Sequence, residues 1–276
     1  MENATALTGA DIVNIERYPI HDRHSAAYTA LVDQCRAELD TNLWCTLPDM
    51  IRPEALAQMA AEATDLRRVA HHNNALRNCY LHRETDPELP STHPRNLQAR
   101  SSVRMIAYDQ IAATSPLKAF YHWDALRQFV ADITGNAKLY DNEDPYQPAN
   151  YVCYEAGDES SWHFDADNAF TMTLMVQTAE EGGEFQISPH SRTDDDQNYD
   201  HVSDLLAGRR PDTIVSVGRE PGALCIFRGC NSLHRVSPVR GETMRIMGVF
   251  VYESKPGVKG DPRVNATIYG PRVAGG

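Results

Sequence analysis

The 276-residue chain has no apolar run approaching the roughly 20 residues that a membrane span requires. Its opening, "MENATALTGADIVNIERYPI", lacks the basic and apolar regions of a signal peptide, so a soluble, cytoplasmic protein is the expectation. Positive charge is scarce: 26 Lys and Arg stand against 38 Asp and Glu, for a formal charge of −12. With no basic stripe for a phosphate backbone, nucleic acid is not an expected partner, and neither is a membrane. Cysteine is sparse too. Cys35, Cys45, Cys79, Cys153, Cys225 and Cys230 are scattered without a CxxC pair, which points to buried free thiols and away from a structural zinc site. The chain contains no phosphate-cradling GxxxxGKS/T loop, no GxSxG elbow and no HExxH helix, so kinase, serine hydrolase and zinc protease readings lack support. No internal repeat or Gly/Ser linker marks a boundary, and one domain over 1–276 is expected.

What is present changes texture along the chain. Residues 1–140 read as a mainly helical support region. "HSAAYTALVDQCRAEL" has apolar residues at helical spacing, and "RPEALAQMAAEATDLRRV" opens with Pro53 in its first turn, where a missing N–H costs little. "SPLKAFYHWDALRQFVADITG" starts at Ser-Pro and stops at Gly135, as one helix would. From about Ala149 short strands follow: "NYVCYEAG", "FTMTLMVQ", "GEFQIS", "TIVSVG", "ALCIFRG" and "RIMGVFVYE". Residues 141–258 therefore read as an antiparallel sandwich or barrel with the helices outside it, and 259–276 as a C-terminal tail. The acidic insert at 191–211 is either an ordered loop with a short helix or a mobile lid.

In "SSWHFDADNAF", His163 and Asp165 are two residues apart, so an extended backbone turns both toward one point. His234, in "SLHRVSPV", supplies a distant third group. His-x-Asp followed by a remote His is the facial pattern of open-sited non-haem Fe(II). Each of these residues alone would read as an ordinary surface or core residue. Arg245 changes the balance, because a guanidinium at the head of the alternating strand "RIMGVFVYE" points into a core where an unpaired charge is costly. A bound dicarboxylate, gripped by the planar fork, would partner it.

The set "WHFD", "EEGGEFQI", "SLHRVSPV" and "RIMGVFVY" resembles the Fe(II)/2-oxoglutarate-dependent oxygenases, and more narrowly their branch of free-amino-acid hydroxylases and lysine radical halogenases. The resemblance covers Tyr146 to Val258 well and the first half loosely. It implies a mainly β fold with α, a double-stranded β-helix (jelly-roll, cupin-like) core buttressed by N-terminal helices. It also implies that His163, Asp165 and His234 bind Fe(II), that 2-oxoglutarate chelates the metal through its 2-oxo and C1 carboxylate groups, that Arg245 holds the far carboxylate, and that O2 takes the remaining position. Halogenases of this branch carry glycine where Asp165 stands, so the resemblance is to the hydroxylase type.

Other residues have two readings each. Tyr154 either lines the cosubstrate pocket or packs across strands. Thr173 either bonds a 2-oxoglutarate carboxylate beside Arg245 or fills the barrel. Arg228 and Asn231 flank the approach to His234 as candidate substrate contacts, although a surface ion pair is the commoner fate of such an arginine. Asp194 to Asp196 either attract a cationic substrate or form a solvated loop. The expected reaction is hydroxylation of an unactivated C–H bond of a free amino acid or similar small polar metabolite, in a biosynthetic role, releasing succinate and CO2. Desaturation or oxidative cyclisation begins from the same hydrogen abstraction. Zinc-dependent hydrolysis or lysis at the same triad and a non-catalytic small-molecule-binding barrel are the other readings; Arg245 argues against the first, and the intact set of three donors with Arg245 against the second.

Overall fold

The computed structural model describes residues 7–166 and 170–274. Two antiparallel sheets dominate. The larger has seven strands in the order Trp44–Leu47, Leu224–Phe227, Thr171–Gln177, Arg245–Phe250, Ala149–Tyr154, Ala99–Ile106, His71–Arg77. The smaller has four, in the order Val215–Ser216, Phe185–Ser188, Leu233–Val236, Ser160–His163.

Alternation along the strands of the large sheet divides its two faces. Tyr151, Cys153, Met172, Leu174, Ile246 and Phe250 join the main core beneath the helices. Their neighbours Val152, Tyr154, Thr173, Met247 and Val249 turn the other way and, with residues of the small sheet, line a cavity between the sheets. A one-residue slip of the Arg245–Phe250 strand would thus press Arg245 against the helices. This is the expected mainly β fold, a jelly-roll barrel buttressed on its outside.

The helices follow their sequence signals. Ser25 Oγ accepts the backbone N–H of Tyr28 to start Ala26–Asn42, whose buried face is Tyr28, Val32, Cys35 and Leu39. Pro53 opens Pro53–Leu66 at its first position. The segment read as one helix from Ser115 to Gly135 is two, Pro116–Tyr121 and Asp124–Thr134. The break at His122 and Trp123 lets His122 bond Tyr108 Oη at 2.7 Å and Asp141 at 2.9 Å. Both flanking helices still bury their apolar sides.

Two further expectations need correction. Residues 1–140 are more than a helical support, because three strands of the large sheet come from them. The segment read as a tail contains the helix Pro262–Tyr269, capped by the Asp261 side chain and placing Ile268 on the cavity between the sheets. The last two residues of that segment lie outside the described residues. The cysteines are free thiols, five of them buried, as expected. Among the described residues no helix is long and apolar enough to cross a membrane.

Candidate metal centre and cosubstrate pocket

His163 ends its strand and pairs in register with His234 on the neighbouring one, which sets the two rings 4.3 Å apart between centroids. Asp165 follows just beyond the strand end, where its N–H donates to the Gly229 carbonyl. Its Oδ1 lies 3.8 Å from His163 Nε2 and 3.5 Å from His234 Nε2, and one donor atom from each residue falls within 4.8 Å of the others. Each imidazole Nδ1 is 2.8 to 2.9 Å from the carbonyl oxygen two residues before it, Ser161 and Ser232 respectively. A carbonyl only accepts, so each Nδ1 carries the proton and each Nε2 offers its lone pair to the shared point. Thr171 Oγ1 donates to Asp165 Oδ2, orienting the carboxylate.

Electrostatics favour the same states. Burial pushes His163 down to about 3, with His234 and Arg77 adding like charge, so the ring is neutral near pH 7. Burial alone would raise Asp165, but His234, His163 and the Thr171 hydroxyl together hold its carboxyl well below the ordinary range. Two imidazoles and one carboxylate, open on one side, can hold a six-coordinate divalent metal. Gly229 makes room for this, because a Cβ there would stand 2.0 Å from Asp165 Oδ2.

Arg245 is 1% exposed and forms no ion pair among the described residues. Its Nε bonds nothing, and its terminal nitrogens reach only the Met247 sulfur at 3.9 Å. The guanidinium lies 5.1 Å from the ring centre of Tyr154, its register partner. Burial pushes Arg245 down to about 10, with the Tyr154 phenol opposing and the Arg219 charge reinforcing the shift. Gly182 and Gly183, both at positive φ, turn the chain past it, and a Cβ on Gly183 would meet Arg245 Cδ at 2.8 Å. A desolvated cation with an orphaned donor fits the distal carboxylate of a dicarboxylic acid. Thr173 is buried on the wall of the cavity that holds the three metal-ligand candidates, and its hydroxyl accepts from Arg219 at 2.6 Å.

Tyr154, Thr173, His163, Asp165 and His234 line one cavity of about 260 Å³. Arg245 lines an adjoining one of about 230 Å³, with Phe185 and Arg219 common to both. On the other side, Asp165 also lines an outer cavity of about 580 Å³ bounded by Tyr80, Arg95, Arg192, Gln197 and Tyr199. Arg228 and Asn231 line none of these cavities. Asn231 instead pins the acidic insert, donating to Asp194 and accepting the Arg192 N–H. Trp162 packs away from the cavity, under Arg235.

Sequence reasoning missed Arg77, Arg219 and Gly229. Arg77 lines the inner cavity from a strand, His71–Arg77, whose inward residues are too polar to reveal a strand by alternation. Arg219 sits in "VGREPG", which reads as a surface turn. Gly229 in "FRGCN" was visible only as a bend.

A family described as Halogenase D matches residues 28–266. The chain belongs to the Halogenase D family. It is accordingly an Fe(II)/2-oxoglutarate-dependent oxygenase. No curated protein matches the chain. Among solved structures it is similar to a prolyl hydroxylase from Trichoplax adhaerens in complex with a hypoxia inducible factor peptide fragment, at 12% identity over 82% of this chain and 90% of that one, TM-score 0.53. It is similar to HygX from Streptomyces hygroscopicus with nickel, 2-oxoglutarate and hygromycin B bound, at 12% identity over 82% and 88%, TM-score 0.53. It is also similar to the non-heme alpha ketoglutarate dependent epimerase SnoN from nogalamycin biosynthesis, at 14% identity over 85% and 91%, TM-score 0.53. At these identities the likeness is one of fold.

Proposed function

We propose that this member of the Halogenase D family is a hydroxylase, acting on an unactivated C–H bond of a free amino acid or similar small carboxylate-bearing metabolite. The observation that carries the reading is Asp165. Its carboxylate converges with His163 and His234, is oriented by Thr171, and has its space kept by Gly229. A protein ligand at that position leaves no vacancy for a halide.

In this reading His163, Asp165 and His234 hold Fe(II), and Arg245 and Tyr154 form the distal end of the 2-oxoglutarate pocket. Bound iron and cosubstrate supply, from O2, the oxidising power that removes a substrate hydrogen, with succinate and CO2 released. The chain's own residues bind, orient and exclude water. The Ser161 and Ser232 carbonyls keep the imidazoles in the ligating tautomer. Phe185, Phe227 and Val249 make the cavity wall apolar.

A carboxylate on the substrate is supported by the cavity linings. Arg77 on the inner cavity and Arg95 and Arg192 on the outer one have no carboxylate within ion-pair distance among the described residues. Arg192 is held by neutral acceptors, the Cys230 carbonyl and Gln197 Oε1, and lies over the Phe164 ring. That lining fits an anionic group better than the cationic substrate that Asp194 to Asp196 suggested.

The test is an anaerobic titration of apoprotein with Fe(II) and 2-oxoglutarate, following the visible charge-transfer band of the chelate. A saturable band that disappears in His234→Ala is expected, together with succinate release coupled to particular amino acids in air. A band unaffected by His234→Ala would remove that residue from the metal centre, and chlorinated rather than hydroxylated product would overturn the hydroxylase assignment.

A further inference from the structure

One guanidinium is enough to grip a carboxylate, yet two buried guanidiniums face this pocket. Arg219 is 6% exposed, and its NH1 donates to Thr173 Oγ1 at 2.6 Å. Among the described residues its buried Nε and NH2 have no hydrogen-bond partner, and the Cys225 thiol is the group that lies beside the guanidinium. The guanidinium lies 4.0 Å from the centre of the Phe185 ring, which fixes its plane. Burial lowers the pKa of Arg219 as it does that of Arg245, and the two charges oppose each other. Both line the 230 Å³ cavity beside Gly182 and Gly183. The carboxylate on that lining, Glu184, is turned to Gln186 Nε2 and Ser216 Oγ.

Two like charges buried side by side without an acid cost more than either alone, so their shared cavity is built for an anion that accepts from both. A carboxylate has about four lone-pair sites, and one guanidinium fork occupies two of them. We propose that Arg219 is a second anchor of the 2-oxoglutarate distal carboxylate, shared with Arg245 and aimed by Thr173 and Phe185. This rests on the oxygenase reading above. It makes Arg219 a specificity-determining residue, selecting a 2-oxo acid that ends in a carboxylate over one of the same length that ends in a methyl group.

The experiment compares two ligands, 2-oxoglutarate and 2-oxopentanoate, in anaerobic Fe(II) titrations of wild type, Arg219→Met and Arg219→Lys, with circular dichroism as the folding control. Arg219→Met should weaken 2-oxoglutarate by ~10- to 100-fold while leaving 2-oxopentanoate within about threefold, and Arg219→Lys should recover part of the loss. Thr173→Val, which removes the aiming hydroxyl and keeps both charges, should weaken 2-oxoglutarate by several-fold and serves if the Met variant does not fold. Equal losses for both ligands would place Arg219 at the 2-oxo end and overturn the proposal, as would no loss for either. Absence of a band in wild type with 2-oxoglutarate would instead strike the oxygenase reading itself.

Discussion

A carboxylate can approach a metal shared with two histidines only if the backbone opposite gives it room, and here that depends on one missing methyl group. Gly229 accepts the Asp165 N–H through its carbonyl, and any Cβ it carried would stand 2.0 Å from Asp165 Oδ2. A Cβ is fixed by the backbone, so no rotamer change at residue 229 relieves its clash with the Asp165 side chain, and in Gly229→Ala the carboxylate must move. Fe(II) affinity should fall by at least ~10-fold, the cost of disturbing even an outer partner of a metal ligand, while the melting temperature of the apoprotein stays close to wild type. Calorimetric titration with Fe(II) under argon checks this. Undiminished affinity would mean that Asp165 has another route to the metal. Asp165 has a reason of its own to be aspartate: with Thr171 on Oδ2, its Oδ1 is left for the metal.

At the scale of elements, legibility in the sequence followed whether a segment buries apolar surface. Thr171–Gln177 and Arg245–Phe250 were readable because every second residue joins the core beneath the helices. His71–Arg77 was not, because its inward side chains include the polar Asn73 and Arg77, which face the cavity of the metal centre and not the core beneath the helices. Arg245 could be found from sequence as a charge at the head of an apolar strand, whereas Arg219 reaches the same cavity from a turn that carries no periodic signal. The acidic insert shows the same divide. Val202 and Leu205 of its helix Tyr199–Leu206 are buried against Cys79, Phe164 and Leu233, while Arg192, Gln197 and Tyr199 line the outer cavity. An insert anchored at one end and facing ligand at the other should respond unevenly. When a turnover-supporting amino acid is added to the anaerobic complex, amides of residues 192–199 should exchange more slowly, while those at Val202 and Leu205 stay unchanged. Hydrogen-exchange mass spectrometry resolves the two halves, and identical exchange throughout 191–211 would end the lid idea.

Over the whole molecule, charge is sorted by position. The chain is strongly acidic, and outer arginines such as Arg17, Arg23, Arg52 and Arg272 pair with carboxylates. Arg219 and Arg245 are buried with orphaned donors. Desolvating an ion costs several kcal/mol when no partner offsets it, so the apoprotein carries a strain that a dicarboxylate relieves. Two consequences should separate in Arg245→Met, which keeps an unbranched side chain and removes the charge. Without ligand, the variant should melt at or above the wild-type temperature, since an unpartnered buried charge has been exchanged for an apolar group. With Zn(II) and 2-oxoglutarate at about 100 times its Kd, wild type should gain ~2.7 kcal/mol, or roughly 5–10 °C at about 2–4 °C per kcal/mol, and the variant little of that. Differential scanning calorimetry on four samples, each protein with and without ligand, decides it. A variant that melts far below wild type without ligand would mean that Arg245 is stabilised by contacts within the fold, and the pocket's claim on a dicarboxylate would lose its main physical support.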